Sequence, residues 1–369
     1  MQEAERPGRP SEDADRRGRR PDTADAGRQD ATDAGRPDAA EAGQRERRAI
    51  AQLLRFYRPG AGRWLPPTGA AWQLALAIEA VITAYARTRD PAYRDALTAW
   101  LRRHHARRSR FFDDDGWYVN AWLRAYAVTG DEAFLTAARA GFADLIVGWD
   151  DTCGGGLWWN RDRRYKNAIT TGLFLLAAAR LAQARPDDPT YGQWARRAWE
   201  WFDAVGLINR DNLVNDGLEN CRNNGGTTWT YNQGIVISAL VELGRLTGSR
   251  VYLDRAHTIA TTATAHLVHP NSAILREPNE PDCNQDQQIF KGILAQGLGR
   301  LCRADPTRSV GHLAVLTANA DAVWHHARDR RDRFGLSWAG PPARVTPATH
   351  ASATLLLGEV ALTLATDAR

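Results

Sequence analysis

Ile235-Val236-Ile237-Ser238-Ala239-Leu240-Val241 is apolar nearly all round, whereas Tyr252 to Leu267 alternates Arg, His and Thr with an apolar stripe. The first reads as a helix buried on every side, the second as a helix with one wet face. Thr247-Gly248-Ser249 separates them, a short turn ready to cap the helix that follows. The same punctuation recurs at Thr88-Arg89-Asp90, Thr129-Gly130-Asp131 and Pro186-Asp187-Asp188. The period of about 46 to 64 residues is the length of a helical hairpin with a variable loop.

Working outward in both directions predicts an outer helix near 47–57. Inner and outer helices then alternate near 71–86, 91–105, 116–128, 132–147, 167–183, 189–205, 231–246, 250–268, 287–303, 309–327 and 350–366. Six apolar inner helices ringed by six amphipathic outer ones make an all-α (α/α)6 toroid, closed where the last inner helix meets the first outer one. The long loops 106–115, 148–166, 206–230, 269–286 and 328–349 each follow an outer helix, so they gather at one end and form a cleft.

Residues 1–48 contain no aromatic residue and no Leu, Ile or Val, so they are expected to be a disordered tail ahead of one folded domain over 49–369. The net charge is only +5 and the arginines are mixed with acids, which argues against a nucleic-acid partner. No apolar run approaches the roughly 20 residues of a membrane span, and the N-terminus lacks a signal peptide's apolar core. As written, the chain is expected to be cytoplasmic; secretion would need a misassigned start codon or another export route. A monomer is expected. The four cysteines and nine histidines show no metal-ligand spacing, so neither a metal nor another cofactor is expected. Cys221 and Cys283 are placed to pair in an oxidising compartment or to remain free thiols.

Chemistry concentrates in Phe111-Phe112-Asp113-Asp114-Asp115-Gly116-Trp117-Tyr118. Crowded carboxylates raise one another's pKa, so one can hold a proton while its neighbour is an anion, and the flanking rings can stack on a pyranose. Further motifs are Gly148-Trp149-Asp150-Asp151-Thr152-Cys153-Gly154-Gly155-Gly156-Leu157-Trp158-Trp159, Tyr165-Lys166-Asn167, Thr228-Trp229-Thr230-Tyr231-Asn232-Gln233-Gly234 and Asp286-Gln287-Gln288-Ile289-Phe290-Lys291-Gly292. Lys166 and Lys291 are the only lysines among 48 basic residues. An ammonium is a compact point charge where guanidinium is a planar fork, so sites packed tightly around a charge resist exchange.

In this order, the motifs FDDDGWY, GWDDTCGGGLWW, YKNA, TYNQG and FKG closely resemble glycoside hydrolase family 76, the endo-α-1,6-mannanase family, over roughly residues 50–366. The resemblance implies the same toroid and a retaining hydrolase of α-mannosidic linkages, with mannose-containing polysaccharide or oligosaccharide as its partner. By resemblance Asp113 is the nucleophile and Asp114 the general acid/base, on a loop leading into the helix, with Asp115 capping that helix. Neighbouring residues suit the roughly 5 to 5.5 Å carboxyl separation of retaining enzymes. Expected substrate contacts are Trp117, Tyr118, Asp151, one of Trp158 and Trp159, Lys166, Asn167, Tyr231, Asn232, Gln233, Phe290 and Lys291. The Gly154-Gly155-Gly156 turn is read as letting backbone approach the ligand.

Two other readings compete. A class I terpene cyclase would need a second metal motif, and Asn215-Asp216-Gly217-Leu218-Glu219-Asn220 lacks its Ser and final Glu. A transglycosidase or a non-hydrolytic glycan binder on the same fold would keep both aspartates.

Overall fold

The computed structural model describes residues 38–64 and 70–367. Among these are twelve α-helices: α1 Ala39–Phe56, α2 Gln73–Thr88, α3 Pro91–His104, α4 Phe112–Thr129, α5 Glu132–Ile146, α6 Ala168–Ala184, α7 Pro189–Ala204, α8 Thr230–Thr247, α9 Arg250–His266, α10 Phe290–Ala304, α11 Val310–His326 and α12 Pro347–Asp367. Each even-numbered helix packs on the next, and α12 returns to α2, closing an inner ring. The odd-numbered helices lie outside it, and α1 packs on α12. The toroid expected from the alternation is therefore the observed fold.

Burial follows the sequence pattern. In α6 every residue from Ala168 to Ala182 is buried, whereas α7 buries only Tyr191, Ala195, Ala198, Trp201 and Phe202. α12 is long and apolar enough to cross a membrane, but it lies 83% buried as an inner helix. Two inner helices touch backbone to backbone. A Cβ on Gly234 would sit 2.3 Å from the Ile293 carbonyl oxygen, and one on Gly297 would sit 2.5 Å from that of Gly234. The glycine of the TYNQG motif is thus a packing requirement of α8 against α10.

The two ends of the barrel differ in their connections. At one end two-residue turns hold Arg89, Gly130 and Gly248 in the left-handed conformation. Asp90, Asp131 and Asp188 then accept the backbone N–H groups of Ala92, Ala133 and Thr190, capping α3, α5 and α7. At the other end long loops join each outer helix to the next inner one, as expected. Three of them open with an isolated antiparallel bridge, Ile208 with Val214, Val268 with Leu275 and Arg328 with Phe334.

Two helix starts and the cysteine pairing differ from expectation. α1 begins at Ala39, so residues 39–48 belong to the folded domain; the part of the proposed tail before residue 38 lies outside the described residues. This stretch has no large apolar side chain, yet it buries Ala42 and Gly43 and anchors by charge. Arg45 reaches Asp321, and Glu46 pairs with Arg87 at 2.5 Å. α4 begins at Phe112, which puts Asp113, Asp114 and Asp115 in its first turn, not on a loop; acids there complement the helix dipole. Finally, Cys221 is bonded to Cys153, and Cys283 is free and buried.

Candidate active site

The N-termini of all six inner helices face the long-loop end, where a cavity of about 560 Å³ opens. Its wall includes Asp113 and Asp114 from α4, Trp72 and Trp117, Trp159 and Tyr165, Asn167, Asp216, Tyr231, Asp286 and Phe290. Adjacent helical residues point about 100° apart, so Asp113 and Asp114 both reach the cavity while Asp115 turns away. Asp115 accepts the Ser109 N–H at 2.8 Å and pairs with Arg161 at 3.0 Å. It ties the preceding loop to the helix, and burial pushes its carboxyl up to about 6. A larger cavity of about 660 Å³ between α3 and α5 is walled mainly by apolar and arginine side chains, and neither Asp113 nor Asp114 faces it.

The two facing carboxyls are not equivalent. Asp113 accepts one hydrogen bond, from Trp159 Nε1 at 3.1 Å, while its Oδ1 is buried without a partner. Burial first, and then the adjacent Asp114 charge, push Asp113 well above the ordinary carboxylate range. Asp114 accepts from Ser109 Oγ at 2.8 Å and lies 3.5 Å from Arg107. It is also raised, chiefly by burial, but Ser109 and Arg107 pull it back. Both carboxyls are thus raised by burial, Asp113 further than Asp114.

Aromatic rings line the walls in stacked pairs. Trp72 stacks on Trp117 at 5.5 Å between centroids, and Tyr231 on Phe290 at 3.8 Å. Trp159 leans on Phe111 at 4.7 Å. Of the adjacent tryptophans, one faces the cavity and one does not, as expected. Trp158 donates Nε1 to Asp150 at 2.7 Å and lies under the Lys166 ammonium. Asn167 both faces the cavity and caps α6 through the Thr170 N–H at 3.2 Å.

Several expected contacts prove to be supports. Lys166 is 2% exposed and donates to Asp150 Oδ1 and to the carbonyls of Asp150, Thr152 and Gly155 at 2.6–3.2 Å. Lys291 is 1% exposed and donates to Glu280 at 2.6 Å and the Leu336 carbonyl at 2.8 Å. Each ammonium fills an oxygen cage behind the cleft wall, a space that suits a compact point charge better than a planar guanidinium; neither lysine lines the cavity. Gln233 grips both Val214 backbone groups at 2.8 and 2.9 Å. Tyr118 is fully buried and donates to the Ala71 carbonyl at 2.8 Å. Asn232 is buried beside Asp216, and Asp151 is an exposed partner of Arg197. The glycine run also has a packing cause, since Cβ atoms on Gly155 and Gly156 would meet Trp201 at 2.8 and 2.4 Å.

Sequence reasoning passed over three titratable cavity residues, Tyr165, Asp216 and Asp286, besides the rings of Trp72 and Phe111. Asp286 accepts from Trp72 Nε1 at 2.9 Å, and Asp216 accepts from Tyr165 at 2.6 Å. Burial raises Asp216 against that hydrogen bond. Their signal was position, since Tyr165 and Asp286 stand within the quoted motifs, while Asp216 stands in the stretch weighed only as a metal motif.

The sequence profile of glycosyl hydrolase family 76 matches residues 44–362. The mannan endo-1,6-alpha-mannosidase DCW1 of Candida glabrata is 35% identical over 223 residues, covering 56% of this chain and 49% of that protein. The chain thus spans about half the length of that curated relative. Among solved structures, the Lin0763 protein of Listeria innocua is 26% identical with a TM-score of 0.76, covering 87% of this chain and 97% of that one. An inactive variant of the α-1,6-mannanase GH76A of Salegentibacter sp. HEL1_6, with two consecutive aspartates changed to asparagine, is solved with α-1,6-mannotriose. It is 25% identical with a TM-score of 0.79, covering 87% and 99%.

Proposed function

Because the chain belongs to glycosyl hydrolase family 76, we propose that it is a retaining glycoside hydrolase cutting internal α-1,6-mannosidic bonds, with Asp113 as nucleophile and Asp114 as general acid/base. The observation that carries this reading is the consecutive carboxyl pair with raised pKa values, set among stacked rings in a cavity of about 560 Å³. Inactivation of a similar mannanase at two consecutive aspartates supports it.

In the first step the Asp113 carboxylate bonds to the anomeric carbon while that carbon's bond to the leaving glycan breaks, and Asp114 gives its proton to the departing oxygen. In the second, the Asp114 carboxylate takes a proton from water, whose oxygen bonds to the anomeric carbon and displaces Asp113. Two inversions return the α configuration. The assignment needs Asp113 ionised and Asp114 protonated when the glycosidic oxygen arrives. Trp159 favours that state, because its N–H stabilises the anionic form of Asp113 against the burial that raises it.

The Cys153–Cys221 bond ties two mouth loops together and favours an oxidising compartment over the cytoplasmic expectation. The activity test is digestion of linear α-1,6-mannan by the purified protein, with products resolved by size. Short oligomers early in the reaction are the expected result. Mannose as the sole early product means exo action, and longer products from a mannooligosaccharide acceptor mean transglycosylation.

A further inference from the structure

The end of the barrel opposite the aspartates holds another cavity, of about 410 Å³, which the proposed chemistry does not use. Arg124 of α4, Arg180 of α6, Arg245 of α8, and Arg300 and Arg303 of α10 all line it, and among the described residues Glu242 is the sole carboxylate in its wall. Glu79 and Glu359 stand behind them, so five cations face three anions in this region.

Inner-helix C-termini point to this end, and their dipoles favour cations there. That accounts for the sign of the charge but not for the hydrogen bonding. Arg180 is 9% and Arg300 5% exposed, yet Arg180 Nη2 and Arg300 Nε have no protein acceptor. Three of the ion pairs are long, Arg124 to Glu79 and Arg300 to Glu79 at 3.5 Å and Arg180 to Glu242 at 3.7 Å, whereas Arg303 pairs closely with Glu359 at 2.6 Å. Burial chiefly, and then the charges of Arg180 and Arg124, hold Arg300 down to about 9 against the pull of Glu79 and Glu359. Guanidinium groups with free donors converging on a cavity are the arrangement that recognises phosphate oxygens by paired hydrogen bonds.

We propose that the base of the barrel binds a phosphate-bearing anion, held by Arg180, Arg245 and Arg300 and separated from the carboxyl pair by the length of the inner helices. This site does not rest on the mannanase reading. It is tested by calorimetric titration of the full-length protein with inorganic phosphate and pyrophosphate, at ionic strength matched with chloride. Two variants keep the fold at positions where little is buried: Arg245→Gln, whose side chain is 45% exposed, and Ala127→Glu, which sets a carboxylate on the exposed rim. Saturable one-to-one binding, tighter for pyrophosphate, is expected. Each variant should weaken it about tenfold or more while circular dichroism stays unchanged. Asp113→Asn should bind as the unmodified protein does. Absence of saturable heat, or affinity unchanged from the unmodified protein in either variant, overturns the site and leaves the arginines as dipole counter-charges.

Discussion

The mouth and the base of this barrel are built from the same six inner helices and differ in everything those helices present. At the mouth their N-termini meet long loops, and the charged groups that reach the cavity are acids: Asp113, Asp114, Asp216 and Asp286. At the base their C-termini meet tight capped turns, and the charged groups are arginines. Helix dipoles sort the signs in that direction, and loop length decides which end can be shaped. The proposed catalytic pair is therefore placed where the backbone is longest and hardest to hold. The oxygen cages around Lys166 and Lys291 are the means of holding it.

That contrast breaks first at Lys291. Replacing it with Met leaves Glu280, 4% exposed, without its cation, and should cost about 3–5 kcal/mol in urea denaturation. An equal loss from Arg245→Gln at the base would erase the distinction between caged and tolerant charges. The disulfide comes next. Cys153→Ser opens a bond spanning 68 residues between two mouth loops and should lower stability by about 2–4 kcal/mol, measured by thermal melting with and without reductant. Insensitivity of the intact protein to reductant would show that the loops are held by their cages alone.

The smallest effect sharpens the base. Removing residues 1–37 should leave the melting temperature unchanged, since that composition has no core-forming side chain. Removing 1–48 also takes away Glu46, the buried partner of Arg87, and should cost about 1–3 kcal/mol. Equal melting of the two truncations would mean that the first half of α1 contributes nothing.

The inner and outer helices were legible because burial on all sides and burial on one side leave different periodicities. Helix starts were less so. The first half of α1 packs through Ala, Gly and ion pairs, which no hydrophobic pattern marks, and α4 starts early because acids suit its first turn. In the site, sequence order located the walls but not their sides. Trp158 and Trp159 are neighbours with opposite tasks, and Lys166 and Lys291 sit one layer behind the surface they shape. Polar type alone does not separate a residue that touches a ligand from one that props up the loop beside it. The bond from Cys153 to Cys221, in place of Cys283, depends on two loops brought together only by the closed ring.

The account turns on which carboxyl is the nucleophile, since burial raises Asp113 further than Asp114 while the proposed chemistry needs Asp113 ionised and Asp114 protonated. The most direct measurement compares Asp113→Asn and Asp114→Ala on α-mannosyl fluoride, whose leaving group needs no proton, with azide added. The product is assigned by its anomeric NMR signal. Asp114→Ala should form the glycosyl-enzyme, stall without a base to activate water, and be rescued as α-mannosyl azide. Asp113→Asn should stay inactive, by on the order of 10⁴-fold or more. A β-azide would mean single displacement, and rescue of Asp113→Asn in place of Asp114→Ala would show that the two catalytic roles are the reverse of those proposed.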